Sequence, residues 1–387
     1  MTNEVKNVPE LRFPGFEDEW KLAHLNDLGD FTSGGTPLKT KKSYWNGDIP
    51  WLTTGDINGK EIYKASNYIA QEGLENSSAK LIYKKAILIA MYGQGKTRGM
   101  SSILNFEAAT NQACAIFQTN NDIKFMHQFF RKDYNKLRSL SNDGSQKNLS
   151  LTLLKSYQIS VPKLEEQKKI GDFFSKLDRQ IELEEQKLEK LEEQKKGYMQ
   201  KIFSQELRFK DENGNDHPEW GENTLGEITN ITTGSLDANA MVANGKYKFF
   251  TCARETYQID NYAFDTEALL ISGNGANVGY IHHYKGKFNA YQRTYVLDRI
   301  ETNIYFLKYY LEKNLIKRIY SEKRDGNTPY ITRSTLYDME INIPISNQEQ
   351  QKIGDFFKKV DELIETQFSK VELLKERKKG FLQKMFV

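Results

Sequence analysis

The stretch Tyr92-Gly93-Gln94-Gly95-Lys96-Thr97-Arg98-Gly99 combines the residue types that most readily do phosphate chemistry: closely spaced glycines, a Lys-Thr pair and an arginine. A phosphate-binding GxxxxGK[ST] loop would need glycine where Ala90 stands. A dinucleotide or S-adenosylmethionine loop is excluded by the glycine spacing and by the lack of an acidic residue after a second strand. The stretch therefore predicts a glycine-mediated turn between two strands, one able to present Lys96 and Arg98 to a phosphate. A second copy, Gly273-Asn274-Gly275-Ala276-Asn277, keeps the glycines and lacks the Lys-Thr pair.

Other candidate catalytic groups fall away. There is no [DN]-P-P-[YF] signature of an amino-methyltransferase. Glu166-Gln167-Lys168, Glu185-Gln186-Lys187 and Glu193-Gln194-Lys195 resemble half of a nuclease motif, but no aspartate on a strand precedes them, so they read as solvated charge. His24, His127, His217, His282 and His283 show no metal-ligand spacing. Cys114 and Cys252 occupy unrelated places, which predicts buried small hydrophobes in a reducing compartment and neither a disulfide nor a metal site. Nothing here predicts catalysis, and no metal is expected on the chain.

What does recur is a basic segment leading into a polar loop. Arg131, Lys132, Lys136 and Arg138 precede Asp143-Gly144-Ser145-Gln146-Lys147-Asn148. Lys313, Lys317, Arg318, Lys323 and Arg324 precede Asp325-Gly326-Asn327-Thr328-Pro329-Tyr330. Cations on a helix can anchor phosphates while amide side chains in the loop reach base edges. The candidate DNA-binding surface is therefore Lys39, Lys41, Lys42, Tyr92, Gln94, Lys96, Arg98, Arg138, Ser145, Gln146, Lys147 and Asn148 in the first half. In the second half it is Asn274, Asn277, Arg293, Arg324, Asn327, Thr328, Tyr330 and Arg333.

The elements that must position these residues are themselves duplicated. Gln167 to Phe203 and Gln350 to Phe386 align without a gap at an offset of 183. Both carry a heptad seam: Ile170, Phe174, Leu177, Ile181, Leu188 and Leu191 in one, and Ile353, Phe357, Val360, Ile364, Val371 and Leu374 in the other. Polar residues interrupt it at Glu184 and Lys195, and at Gln367 and Lys378; they are expected to fix register at some cost in stability. So long and narrow a seam needs a helical partner, and the other copy is the obvious one. At 1.5 Å per residue the pair forms a rod of roughly 50 Å.

The repeat continues outside the helices. Glu10-Leu11-Arg12-Phe13 matches Glu206-Leu207-Arg208-Phe209, Ser33-Gly34 matches Thr233-Gly234, and Ile159-Ser160-Val161-Pro162 matches Ile341-Asn342-Ile343-Pro344. Ala86–Ala90, 268–271, Gln158–Val161 and 340–343 read as strands, whereas 123–140 and 304–320 carry helical spacing. The fold class is α+β with a pseudo-two-fold internal repeat. A globular domain at 1–163 precedes a long helix at 164–205; a second domain at 206–346 precedes a long helix at 347–387. Pseudo-two-fold symmetry favours an antiparallel coiled coil and brings the N-terminal ELRF segment close to the end of the second helix.

A chain of 387 residues with net charge +3 permits a nucleic-acid partner without demanding one. The polar start and the shortness of the longest apolar run, Ala86 to Met91, predict a protein of the cytoplasm with no membrane partner.

Gly34-Gly35-Thr36-Pro37, Tyr44-Trp45-Asn46-Gly47-Asp48-Ile49-Pro50-Trp51, and the tail of each half (IxVP or IxIP, then Gln-x-Lys-Ile) resemble the DNA specificity subunit of type I restriction–modification systems. So does the alternation of domain and long helix. The resemblance implies a non-catalytic subunit with two target-recognition domains, each reading half of an asymmetric bipartite site in double-stranded DNA, with the helices as spacer. It implies two methyltransferase subunits and two restriction subunits as partners, with S-adenosylmethionine, ATP and Mg2+ bound there and no cofactor on this chain. The second domain departs from the YWNGDIPW pattern, so its correspondence over residues 235–265 is open. The competing reading is a coiled-coil scaffold whose end domains bind proteins.

Overall fold

The computed structural model describes residues 7–93, 95–140, 148–322 and 329–387. The predicted site residues Gln94, Ser145, Gln146, Lys147, Arg324, Asn327 and Thr328 lie outside these. The chain divides into two compact units, Met1–Glu185 with Lys370–Val387, and Gln186–Ser369. Two helices, Leu164–Phe203 of 40 residues and Asn347–Lys384 of 38 residues, each contribute a segment to both units.

In the first unit a five-stranded sheet runs in the order Gly29–Ser33, Cys114–Thr119, Ala86–Ala90, Ser101–Leu104, Glu61–Ile62. Ala86–Ala90 is apolar throughout because, as a central strand, it is covered on both faces. Ile87 and Ile89 face one core with Phe117, Phe125 and Phe130. Ala86, Leu88 and Ala90 face another with Leu52, Cys114 and Ile116. The alternation follows from the two-residue period of a strand. A three-stranded sheet, Asn67–Ile69, Trp45–Leu52, Ala109–Thr110, completes this side. The second unit fuses the two sheets into one of six strands, because Ile281–Ala290 is continuous where the first unit breaks into Ser101–Leu104 and Ala109–Thr110. Its central strand Phe264–Ser272 again sends Leu269 and Ile271 to one core and Ala268 and Leu270 to the other.

The strand register relates residues 247–250 and 257–259 to the first unit. Trp51 and Leu52 pair in parallel with Ala109 and Thr110, as Phe249 and Phe250 pair with Asn289 and Ala290. Ile49 lies opposite Ile69, as Tyr247 lies opposite Ile259. Asn244-Gly245 is thus the counterpart of Asn46-Gly47, and the second domain keeps the Asn-Gly of the first motif at an offset of 198. Gly34 and Gly234 are required in the same way: a Cβ on either would collide with a strand carbonyl, of Thr110 or of Ala290.

Within each unit the two long helices run antiparallel. In the first, residues 173, 178 and 185 of one helix meet 381, 378 and 375 of the other. In the second, 195 and 198 meet 361 and 356. Of the predicted seam, Ile170, Phe174, Ile181, Ile353, Phe357, Val371 and Leu374 are buried, while Leu177, Leu188, Leu191, Val360 and Ile364 are half-buried. The ends of the seam do more than pair. Ile170 and Phe174 join the first unit's core with Met385 and Phe386, and Ile353 and Phe357 join the second unit's core with Met199 and Ile202. The polar positions differ from the expectation of a simple register layer: Lys378 meets Asp178 and Lys195 meets Asp361, each cation answered by a carboxylate on the facing helix.

Two clamps fasten helix to domain, identically in both units. Arg12 Nε donates to Glu166 at 2.7 Å, and Arg208 Nε to Glu349 at 3.0 Å, with both carboxylates shut off from solvent. Gln167 accepts from the Asp122 backbone N–H and donates to the Pro162 carbonyl, as Gln350 does with Asn303 and Pro344. The Pro…Gln signature is therefore one device: the proline ends the strand and its carbonyl holds the glutamine that locates the next helix. Leu11 N–H donates to the Lys384 carbonyl as Leu207 N–H does to Lys201, which places the ELRF segment at the end of the second helix as the repeat predicts. Among the described residues no helix is long and apolar enough to cross a membrane.

Candidate nucleic-acid interface

The glycine stretch, described at 93 and 95–99, links the antiparallel strands Ala86–Ala90 and Ser101–Leu104. It is stapled to the helix Tyr134–Ser139. Tyr134 Oη donates to the Lys96 carbonyl at 2.6 Å, Arg138 Nη2 to the Gly95 carbonyl at 2.5 Å, and Arg98 Nη2 to the Arg138 carbonyl at 3.1 Å. Leu149 N–H bonds the Met91 carbonyl, bringing Asn148 to the same place. Tyr92, Lys96, Arg98, Arg138 and Asn148 thus form one rim, with Tyr92 and Lys96 exposed. Lys39, Lys41 and Lys42 occupy a separate exposed loop; Lys41 is engaged by Glu72 at 2.6 Å and lies over the Tyr44 ring.

The second unit builds an equivalent rim through equivalent bonds. Ile331 N–H reaches the Gly273 carbonyl and Gly273 N–H the Arg293 carbonyl, matching Leu149 to Met91 and Met91 to Ala113. Asn274, Asn277, Arg293 and Tyr330 meet there, and Arg333 opens the adjoining helix with its guanidinium over Tyr337. The structure adds a segment the sequence reading missed, 251–256. Cys252 Sγ donates to the Arg293 carbonyl at 3.3 Å, and Asn277 Nδ2 to the Cys252 carbonyl at 3.1 Å. Cys252 is thus a half-exposed rim residue; Cys114 is the buried one, its thiol pushed up to about 12 by burial. The Asn-Gly counterpart at 244–245 was the available signal for this segment.

The basic residues before the rim are divided. Arg131 turns away from it, drawn to Asp178 at 2.9 Å, where Lys378 and Gln128 also bond. Burial pushes Asp178 up, but Arg131 and Lys378 outweigh it and hold the carboxyl below its usual range. Burial and the nearby Arg131 bring Lys378 down to about 8. In the second unit Glu312 stands where Arg131 does. Lys195 bonds Asp361 and Glu312, Lys308 bonds Glu312, and Tyr309 Oη donates to Asp361 at 2.7 Å. Burial depresses Lys195, but the two carboxylates more than offset it and raise the ammonium. Lys132 reaches the Val387 carbonyl, and Arg318 pairs with Glu322. Among the described basic helix residues, Arg138 is the one bonded to a rim loop.

The histidines are structural. His127 is buried, its Nε2 3.1 Å from the Ser101 carbonyl, and burial lowers it to about 3. His283 pairs with Glu267. No cluster of His, Cys, Asp and Glu able to hold a metal occurs among the described residues. The rims instead offer aromatic faces, amides and cations around backbone turns, a composition suited to a polyanion with hydrogen-bonding edges.

The family model of the type I restriction modification DNA specificity domain matches the chain twice, at residues 17–193 and 218–375. The EcoDI type I restriction enzyme specificity subunit of Escherichia coli is 39% identical over 165 residues, 43% of this chain and 36% of that protein. The MjaIX specificity subunit of Methanocaldococcus jannaschii is 24% identical over 365 residues, 84% of this chain and 83% of that protein. The crystal structure of a type I restriction–modification S subunit from M. genitalium covers 98% of this chain and 99% of its own at a TM-score of 0.68 and 18% identity, which is a likeness of fold. With both of its domains matched by that model, the chain belongs to the type I restriction modification DNA specificity family.

Proposed function

We propose that the chain is the sequence-reading, non-catalytic subunit of a type I restriction–modification assembly acting in the cytoplasm. Each rim reads one half of a divided site on double-stranded DNA, and because the rims carry different side chains the site is asymmetric. The antiparallel helices, each unbroken through both units, serve as spacer. Methylation and cleavage fall to partners, two methyltransferase subunits and two restriction subunits, which bind S-adenosylmethionine, ATP and Mg2+.

The observation that carries this reading is the contrast between frame and rim. The Arg12–Glu166 and Gln167 clamps recur as Arg208–Glu349 and Gln350, while the residues around the glycine turn are rewritten. That is the economy expected of two readers of different sequences on one support.

Binding to random-sequence duplex DNA at two salt concentrations, with the chain purified together with its methylating subunit, tests it. A reader anchored on phosphates loses affinity steeply as salt rises. Binding that is absent, or indifferent to salt, would instead favour a protein-binding scaffold.

A further inference from the structure

The segment 251–256 of the second unit links the strands Tyr247–Phe250 and Tyr257–Ile259, and it is held from two sides. Asn277 Nδ2 donates to the Cys252 carbonyl at 3.1 Å, and His282 Nε2 lies 3.1 Å from the Ala253 carbonyl. His282 is boxed by the rings of Tyr280 at 4.8 Å and Phe250 at 5.2 Å. Burial lowers its pKa, so the imidazole is neutral and its single proton sits on Nε2, facing the carbonyl. On this fixed segment stands Arg254, exposed, with its guanidinium over the Tyr280 ring at 5.4 Å. Among the described residues it has neither a carboxylate partner nor a hydrogen bond.

We propose that Arg254 reads a guanine in the half-site of the second unit, with Tyr280 as its platform and His282 and Asn277 as positioning residues. The assignment rests on the DNA-reading role proposed above. A guanidinium is a planar fork of N–H donors that matches the O6 and N7 acceptors of guanine in the major groove. Lying over an aromatic face limits where that fork can point, which suits a base edge better than a phosphate, approachable from many directions. Among the described residues of the first unit no arginine lies over an aromatic ring. Beyond the paired Leu52 and Phe250 the linking segments differ in length, 53–66 against 251–256, so Arg254 stands on a segment that the first unit builds differently.

The test is selection from a random-sequence duplex library by the full chain with its methylating subunit, comparing wild type with Arg254→Ala and Arg254→Lys. Arg254 is exposed, and circular dichroism checks that both variants fold. Wild type should select a motif containing a guanine in one half, and R254A should lose preference at that base alone by roughly 5- to 150-fold, the range one bidentate pair carries. R254K should keep part of the affinity without the guanine preference, since a point charge cannot fork. An unchanged motif in R254A, or full rescue by lysine, overturns the assignment. So does an even loss across all sequences with the salt slope reduced by about one, which marks a phosphate contact. If wild type selects no motif at all, the DNA-reading role itself fails and this inference with it.

Discussion

The arginine and glutamine clamps between helix and domain repeat in the two units, whereas the polar clusters beside them have been rewritten. Arg12–Glu166 and Arg208–Glu349 repeat, as do the Gln167 and Gln350 clamps. Yet Arg131, on Asp178 and beside Lys378, gives way to Glu312 beside Lys195 and Lys308. The difference shows which positions the fold constrains. A buried carboxylate that holds two segments together must keep its arginine. A cluster on the paired helices may exchange sign as long as its charges are answered locally. The rims are freer still, with Ala113 in one unit where Arg293 stands in the other.

If the junctions are equivalent, they should fail alike. Arg12→Ala and Arg208→Ala each leave a carboxylate buried and unpaired, which should cost about 3–5 kcal/mol; thermal or denaturant unfolding reads this directly. A large loss for one and none for the other would break the equivalence.

Glycines of the long helices sharpen the same comparison at about 1–3 kcal/mol or less. A Cβ at Gly171 would meet the Asp122 carboxylate that caps the helix Ile123–Lys132, and one at Gly354 the Asn303 side chain that caps Ile304–Ser321. Replacement by alanine at either should destabilise through overpacking, by about 1–3 kcal/mol. At Gly197 and Gly380 a Cβ meets nothing within 4 Å. There the same change should stabilise by about 0.5–1 kcal/mol, the propensity difference of a helix interior.

A further effect concerns pH. Lys378 gives up its proton near pH 8 in the fold but near 10.5 when unfolded. Between those values the unfolded chain binds more protons, so stability contributed at this site rises with pH. Lys195 is raised, so its contribution is present below the ordinary lysine value and is lost as pH climbs through the raised one. Unfolding measured from pH 7 to 11 should show Lys378→Met removing a rise and Lys195→Met removing a fall.

Much of this frame was legible because the chain states it twice. Heptad spacing gave the helices, and the repeat of Glu10-Leu11-Arg12-Phe13 brought the N-terminal segment to the second helix's end. What escaped depends on contacts far apart in sequence. Arg131 was placed with the rim residues because it precedes them, but Asp178, 47 residues on, decides where it points. Asn244-Gly245 went unmatched because the offset between halves changes from 200 at Gly34 to 198 there and 180 at Gly99. Arg254 becomes distinctive only once the carbonyl of its neighbour Ala253 meets His282, 29 residues away.

The account depends on each rim acting for itself on a shared frame. Exchanging residues 10–160 for the corresponding domain of another family member, and sequencing the DNA motif selected by the assembly, tests that directly. One half of the motif should change to the donor's, with the other half and the spacing kept. A change in both halves would contradict it.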